Sequence, residues 1–421
     1  MLLRALYHSL LLFFLLSPAA LADQTPQHYS LPPDKLQRAI EYAHAGYTLH
    51  FGSEVWAIVI LAVILVSGLA AKYRDWAQSA SQRRFIQALI FIPLLLLTND
   101  ILYLPANIYG QHLERKFDQS IQSWPSWLWD WTKSELILLV CAVPLAALLY
   151  AVIRRSPRRW WLYFWLATLP LIVAVMCLEP MVIEPLFYRF EPLAVTQPAL
   201  VEQLQKLVAR GGLAIPPDRM FEMKASEKLN SLNAYVSGFG GSKRVVVWDT
   251  TIQKLTTPEI LFVFGHEMGH YVLGHIRNSL LALSLLLLLL LFAGSHLVRW
   301  MIARWGNRWR IPGTADWASL PLMLLIVAVF SFLSEPLVNG YSRWQEHQAD
   351  VYGLEITHGL VPDSSAAAAH SFQVMGEIGL DEPDPNHFIE FWLFSHPSTA
   401  DRLTFADNYD PWKDGTPQFV K

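Results

Sequence analysis

His266-Glu267-Met268-Gly269-His270 stands just ahead of a long apolar run that begins near residue 279. On a helix, positions i and i+4 stack on one face, so the two imidazoles of this H-E-x-x-H pentad can grip a single metal ion. Glu267, beside the first of them, can then take a proton from a metal-bound water. At ordinary His and Glu frequencies roughly one or two chains in a hundred of this length would contain such a pentad, so its surroundings decide its weight.

Those surroundings are membranous. Of 421 residues, 53% are hydrophobic and only 16% charged, with mean hydropathy +0.29. Soluble domains carry about a quarter charged residues. The formal net charge is −3 and no basic stripe is interleaved with aromatics, which excludes nucleic acid as a partner class. The only cysteines, Cys141 and Cys177, sit inside apolar runs, leaving histidines and carboxylates as metal ligands. Arg4, the apolar stretch Leu10 to Leu16 and Ala20-Leu21-Ala22 ahead of Asp23 read as a secretory signal or an uncleaved signal anchor.

Six later runs approach the 20 or so apolar residues that a bilayer core needs: about 55–71, 86–104, 136–153, 160–178, 279–298 and 318–338. The chain therefore divides into a signal or anchor (1–22), a four-span region (23–184), a polar part with the pentad (185–278), a two-span hairpin (279–339) and a second polar part (340–421). The polar parts are expected to fold together, since each holds only part of a metal site. Pro198 to Arg210 has helical spacing with proline in the first turn. Asn233 to Val236 and Val245 to Trp248 read as a hairpin around Gly238-Phe239-Gly240-Gly241, a turn with no phosphate-loop pattern. From Pro258 the helical pattern continues through the pentad and is expected to enter the fifth span without a break.

A hydrolytic zinc site takes three protein ligands and one open position. His266 and His270 supply two. Glu346, four residues before Asp350 in Ser342-Arg343-Trp344-Gln345-Glu346-His347-Gln348-Ala349-Asp350, is the best candidate for the third, with Asp350 orienting a ligand histidine. On spacing alone, such a carboxylate pair more often describes a solvated helix face.

From Pro185 to the end, the chain resembles the type I CAAX prenyl proteases, integral-membrane zinc metallopeptidases. The matching stretches are Glu259-Ile260-Leu261, the pentad, Leu273-Gly274-His275, Asn339, Ser342-Arg343, Glu346 and Ala349-Asp350. Pro185-Leu186-Phe187 with Phe190 and Pro192-Leu193 also matches, and fainter similarity reaches back to about residue 31. The resemblance implies one zinc per chain on His266, His270 and Glu346, Glu267 as general base, and Asp350 and Arg343 as supports behind the ligands. Ser395-His396-Pro397 with Arg402 looks like the family's His-Pro…Arg motif, so His396 would donate to the oxyanion and Arg402 would order the site. Without the family, His396 reads as an exposed loop histidine. Asn233-Ala234-Tyr235 resembles the edge strand that pairs with extended substrate.

His275 reads as facing solvent or lipid headgroups. Trp124, Trp127, Trp129 and Trp131 read as an interfacial belt. Asp100 and Glu335, in or at the ends of spans, should face a watery interior or a partner; an enclosed chamber, which the resemblance implies, would accommodate both.

Orientation departs from the family. Lys72, Arg74, Arg83 and Arg84 follow the first span, Arg154, Arg155, Arg158 and Arg159 the third, and Arg299, Arg304, Arg308 and Arg310 the fifth. The long loop after the second span has only Arg115, Lys116 and Lys133. The positive-inside rule puts the three Arg-rich loops in the cytoplasm and both polar parts outside. Prenyl proteases of eukaryotes have a cytosolic site instead. The expectation is thus a mainly α, polytopic helical membrane protein, with six spans after the signal or anchor and a small α+β zinc metallopeptidase domain. It should sit in a bacterial inner membrane, facing the periplasm and cutting exported or membrane-proximal polypeptides. A dedicated CAAX-type processing protease is the alternative enzyme. A non-catalytic scaffold or transporter is the other class, and it leaves Glu267 without a role.

Overall fold

The computed structural model describes residues 29–238 and 243–420; the signal-like start and the tip of the hairpin turn lie outside the described residues. Six described helices are long and apolar enough to cross a membrane. They are built around α1 (Pro33–Val66), α3 (Arg84–Lys116), α4 (Trp124–Arg155), α5 (Trp160–Leu178), α8 (His275–Trp309) and α9 (Leu320–Thr357), with α2 (Leu69–Ala80) leaving the first span. The expected run 55–71 is in fact broken at Ser67-Gly68 between α1 and α2. Large apolar side chains on these helices point outward: Val140 is 74% exposed and Leu281 65%. In water that surface would be untenable, whereas lipid covers it at no cost.

α9 decides where the site lies. Its 38 residues span about 57 Å, well beyond a hydrocarbon core of about 30 Å, so its C-terminal turns leave the bilayer and carry Glu346 and Asp350 with them. Two cores sit at opposite ends of the molecule. One gathers Ile64 of α1, Phe91 of α3, Tyr150 of α4 and Trp317 with Leu322 at the start of α9. The other joins Ala39 of α1 to α6 (Pro198–Arg210), α7 (Thr257–Val272), the end of α9, α10 (Ser364–Gly379) and α12 (Thr399–Asn408). Residues from both polar parts thus share one core. α6 contributes Leu200, Val201, Leu204, Leu207 and Val208, the stripe its spacing predicts.

A four-stranded sheet flanks this second core. Its order is β1 (Phe190–Pro192), β2 (Met220–Met223), β4 (Arg244–Trp248), β3 (Ala234–Ser237), with only the β2–β4 pair parallel. Val245, Val246 and Val247 are fully buried at its centre, leaving β3 at an edge beside α7.

Two further expectations fail here. α7 does not run on into the fifth span: it ends at Val272, and Gly274, in the left-handed region at φ 72°, redirects the chain before α8. The four tryptophans are not one belt. Trp124 and Trp129 are exposed, but Trp127 and Trp131, four residues apart on α4, line a cavity of about 530 Å³ with Tyr103, Asn107 and Asp130.

Candidate metal centre

α7 opens with a capping box: Thr256 precedes Pro258, and Glu259 Oε2 accepts from Thr256 N at 2.8 Å. That cap fixes the helix whose next turns carry the pentad. α7 then crosses α9 closely. A Cβ on Gly269 would lie 3.2 Å from Ala349 Cα, and one on Gly353 3.0 Å from His266 N. Gly265 and Gly269 on one helix meet Ala349 and Gly353 on the other, both at i, i+4 spacing. Small residues on both sides let Glu346 reach the histidines.

Three atoms that could hold a metal ion converge there. His266 Nε2 lies 3.1 Å from His270 Nε2 and 3.1 Å from Glu346 Oε2, and His270 Nε2 lies 3.4 Å from Glu346 Oε1. Glu346 Oε2 is buried without a hydrogen-bond partner. Tetrahedral ligands with bonds of about 2.0–2.2 Å stand about 3.3–3.6 Å apart, so these separations fit a zinc-sized cation to within a few tenths of an ångström.

Behind the ligands the two histidines are held differently. His266 Nδ1 donates to Asp350 Oδ1 at 2.7 Å, and Arg402 grips the same carboxylate through Nε (3.0 Å) and Nη2 (2.6 Å). Asp350 is almost wholly buried, so this pairing is needed to keep its charge there. Burial disfavours the His266 imidazolium, but Asp350 and Glu346 outweigh it and hold the group up to about 10. Burial pushes the Glu267 carboxyl above its ordinary value, the direction a general base at neutral pH needs.

His396 sits in a loop that passes beside the site. Its Nε2 lies 3.2 Å from Glu346 Oε2, while Ser395 Oγ lies 2.9 Å from its Nδ1. A Ser395 hydroxyl donating to Nδ1 leaves the His396 N–H on Nε2, facing the centre. Surrounding protein pushes His396 below the ordinary histidine value even though about half of its side chain is open to solvent.

Arg343 supports the site otherwise than expected. It does not touch the ligands; it donates to the carbonyls of Glu390 (3.0 Å) and Phe394, at the end of α11 (His387–Leu393). Asn339 holds Trp392 O at 2.6 Å. One face of α9 thus fixes the segment that presents His396. Glu335 has the partners expected of a charge in a span, accepting from Trp392 Nε1 at 2.9 Å and lying 3.3 Å from His50 Nε2.

β3 offers the expected edge. Asn233 O accepts from Trp248 N at 3.1 Å and Asn233 N donates to Thr251 Oγ1 at 2.8 Å, so Asn233 is committed inward. Antiparallel alternation then turns Tyr235 to β4 and leaves the backbone groups of Ala234 and Val236 at the free edge. The Tyr235 hydroxyl donates to Glu184.

His275 overturns its reading as an exposed residue. It is 3% exposed, with Nδ1 3.1 Å from His270 Nδ1 and Nε2 3.1 Å from Gln348 Oε1. The turn at Gly274 swings it back under the pentad. Glycine after a helical run, followed by histidine, was the available sequence signal.

Fold and site together define an integral-membrane metallopeptidase. Residues 194–410 match peptidase family M48, and residues 17–189 match the CAAX prenyl protease N-terminal region of five membrane helices. The chain is 34% identical over 377 residues to the uncharacterized metalloprotease YhfN of Bacillus subtilis (strain 168), covering 90% of this chain and 86% of that one. To a CAAX prenyl protease 1 homolog of Dictyostelium discoideum it is 28% identical over 331 residues, covering 76% and 73%. Its fold matches the crystal structure of S. mikatae Ste24p, with a TM-score of 0.78, 22% identity and 90% of each chain covered. The chain belongs to peptidase family M48, whose members are metal-dependent, and it is a multi-pass membrane protein.

Proposed function

We propose that this chain is a zinc endopeptidase of a bacterial inner membrane that cuts exported or membrane-proximal polypeptides on the periplasmic side. The convergence of His266 Nε2, His270 Nε2 and the buried Glu346 carboxylate carries the reading. Residues 185–278 and 340–421 act as one catalytic unit around it. His266, His270 and Glu346 would hold the zinc, which would supply Lewis acidity there. Glu267 accepts the proton of the attacking water and returns it to the leaving amine. His396 donates from Nε2 to the developing oxyanion. An extended substrate adds a strand to β3 through Ala234 and Val236, which fixes the scissile bond relative to α7. Asp350, gripped by Arg402, keeps the His266 proton on Nδ1. A scaffold or transporter would have no use for Glu267 beside the ligands.

The arrangement of basic loops supports the outward orientation. Arg74 Nη1 donates to Arg310 O at 2.7 Å and Arg299 Nη1 to Arg158 O at 3.4 Å, so the three Arg-rich loops meet at one end. α8 runs from the site at His275 to that basic end, and α9 returns from it to Glu346. With the basic end cytoplasmic, the centre lies outside. Alkaline phosphatase fused after Lys421 should be active and green fluorescent protein dark, whereas phosphatase after Arg84 or Arg159 should be inactive. A C-terminal reporter that behaves as cytoplasmic overturns the topology and favours a prenyl-type processing role.

The elevated His266 value gives a pH dependence. Without metal, the imidazolium holds a proton up to about pH 10, and zinc must displace it. Apparent zinc affinity, measured against a competing chelator, should therefore rise about tenfold per pH unit between pH 6 and 9. By the same linkage, the proton stabilises the metal-free fold fully below about 6.5, the ordinary histidine value, and this contribution is lost as pH rises through about 10. A flat affinity profile would show that His266 is already neutral or is not a ligand.

A further inference from the structure

We propose that His275 is a positioning residue: it accepts the Nδ1 proton of His270 and so keeps the Nε2 lone pair of that ligand turned to the metal. This inference rests on the metal-site reading above and assigns a partner to its second histidine.

The proton positions follow from the contacts. His270 Nε2 faces His266 Nε2 at 3.1 Å and Glu346 Oε1 at 3.4 Å, so it must be bare to bind a cation. A neutral His270 then carries its proton on Nδ1, whose neighbour is His275 Nδ1 at 3.1 Å. Two ring nitrogens at that distance share one proton, so His275 Nδ1 is the acceptor and its own proton sits on Nε2. Gln348 Oε1, 3.1 Å away and able only to accept, fixes that tautomer. Gln348 follows Glu346 by two residues on α9, so the element that supplies the third ligand also sets the proton of the second.

Backbone geometry holds the relay in place. Gly274 returns His275 beneath α7, and Gln345 Nε2 donates to His275 O at 3.3 Å while Ser279 Oγ donates to Gln345 Oε1 at 2.9 Å. His266 is backed by a carboxylate and His270 by a neutral ring. That asymmetry gives His270 a directional partner without a second buried negative charge beside Glu346.

Asparagine and leucine have nearly the same shape, and Asn Oδ1 falls where His Nδ1 stood. His275→Leu should weaken zinc binding about 10- to 100-fold in the full-length chain stripped of metal in detergent. His275→Asn should bind nearly as the unmodified chain does. Cobalt(II) added to the same proteins should give an altered visible spectrum in the leucine variant only. If His275→Leu does not fold, Gln348→Met against Gln348→Glu makes the same comparison one link further out, with weakened binding expected for methionine alone. Equal zinc affinity and cobalt spectra in the Leu and Asn variants, or in the Met and Glu pair, overturn the relay and leave the metal site standing. Zinc retained at full affinity by a His266→Ala/His270→Ala double variant removes the metal site and the relay together.

Discussion

Glu267→Gln should keep its zinc and lose turnover by about 100- to 10,000-fold, the range that a positioned general base contributes. That factor corresponds to about 2.7–5.5 kcal/mol of barrier. The substitution removes one basic oxygen and nearly conserves volume. It also leaves the contacts among His266, His270, Glu346 and Asp350 untouched. Metal content by atomic emission and hydrolysis of unfolded casein, measured on one preparation, separate the two effects. Glu346→Ala should behave in the opposite way, shedding metal. Full casein hydrolysis by Glu267→Gln would remove the base from the mechanism. The same variant has a use in cells. Substrates and uncut precursors should accumulate in membrane and periplasmic fractions, which names the polypeptides this enzyme cuts.

Local patterns carried much of this protein in its sequence. The spans, α6, the start of α7 near Pro258 and the two strands of the hairpin follow from apolar period, first-turn prolines and β-branched runs, which act over a few residues. The pentad was equally plain. Glu346 was not, because a carboxylate four residues from another carboxylate describes most solvated helices. Its role needed the crossing at Gly269 and Gly353, which brings together side chains 80 positions apart. His275 was misread for a related reason. A helix continued through Gly274 would have turned it away from His270, and one left-handed glycine reverses that. Arg343, expected behind the ligands, instead donates to backbone carbonyls about 50 residues onward, a contact no local pattern encodes. Trp127 and Trp131 match a lipid belt in composition, and only the packing of α4 against α3 turns them toward a cavity that α1 also lines.

His396→Ala should lower kcat by about 100- to 1,000-fold with zinc content unchanged and KM little altered. A donor aimed at the oxyanion, and not at the ground-state carbonyl, acts on the transition state alone, so its loss appears in the rate and not in affinity. The placement of His396 makes this prediction specific. Its Nε2 faces the centre 3.2 Å from Glu346 Oε2, and its segment is held by Arg343 and Asn339 from the helix that carries Glu346. Arg343→Ala should therefore reproduce part of the kcat loss without touching the substrate: the carbonyls of Glu390 and Phe394 lose their donor and His396 drifts. The double variant distinguishes direct from indirect action. If Arg343 works only through His396, removing it from an enzyme already lacking His396 should cost almost nothing more, a non-additive result expected of residues in one chain of contacts. Additive losses would separate the two roles. A rise in KM alone in His396→Ala would make His396 a substrate-binding group.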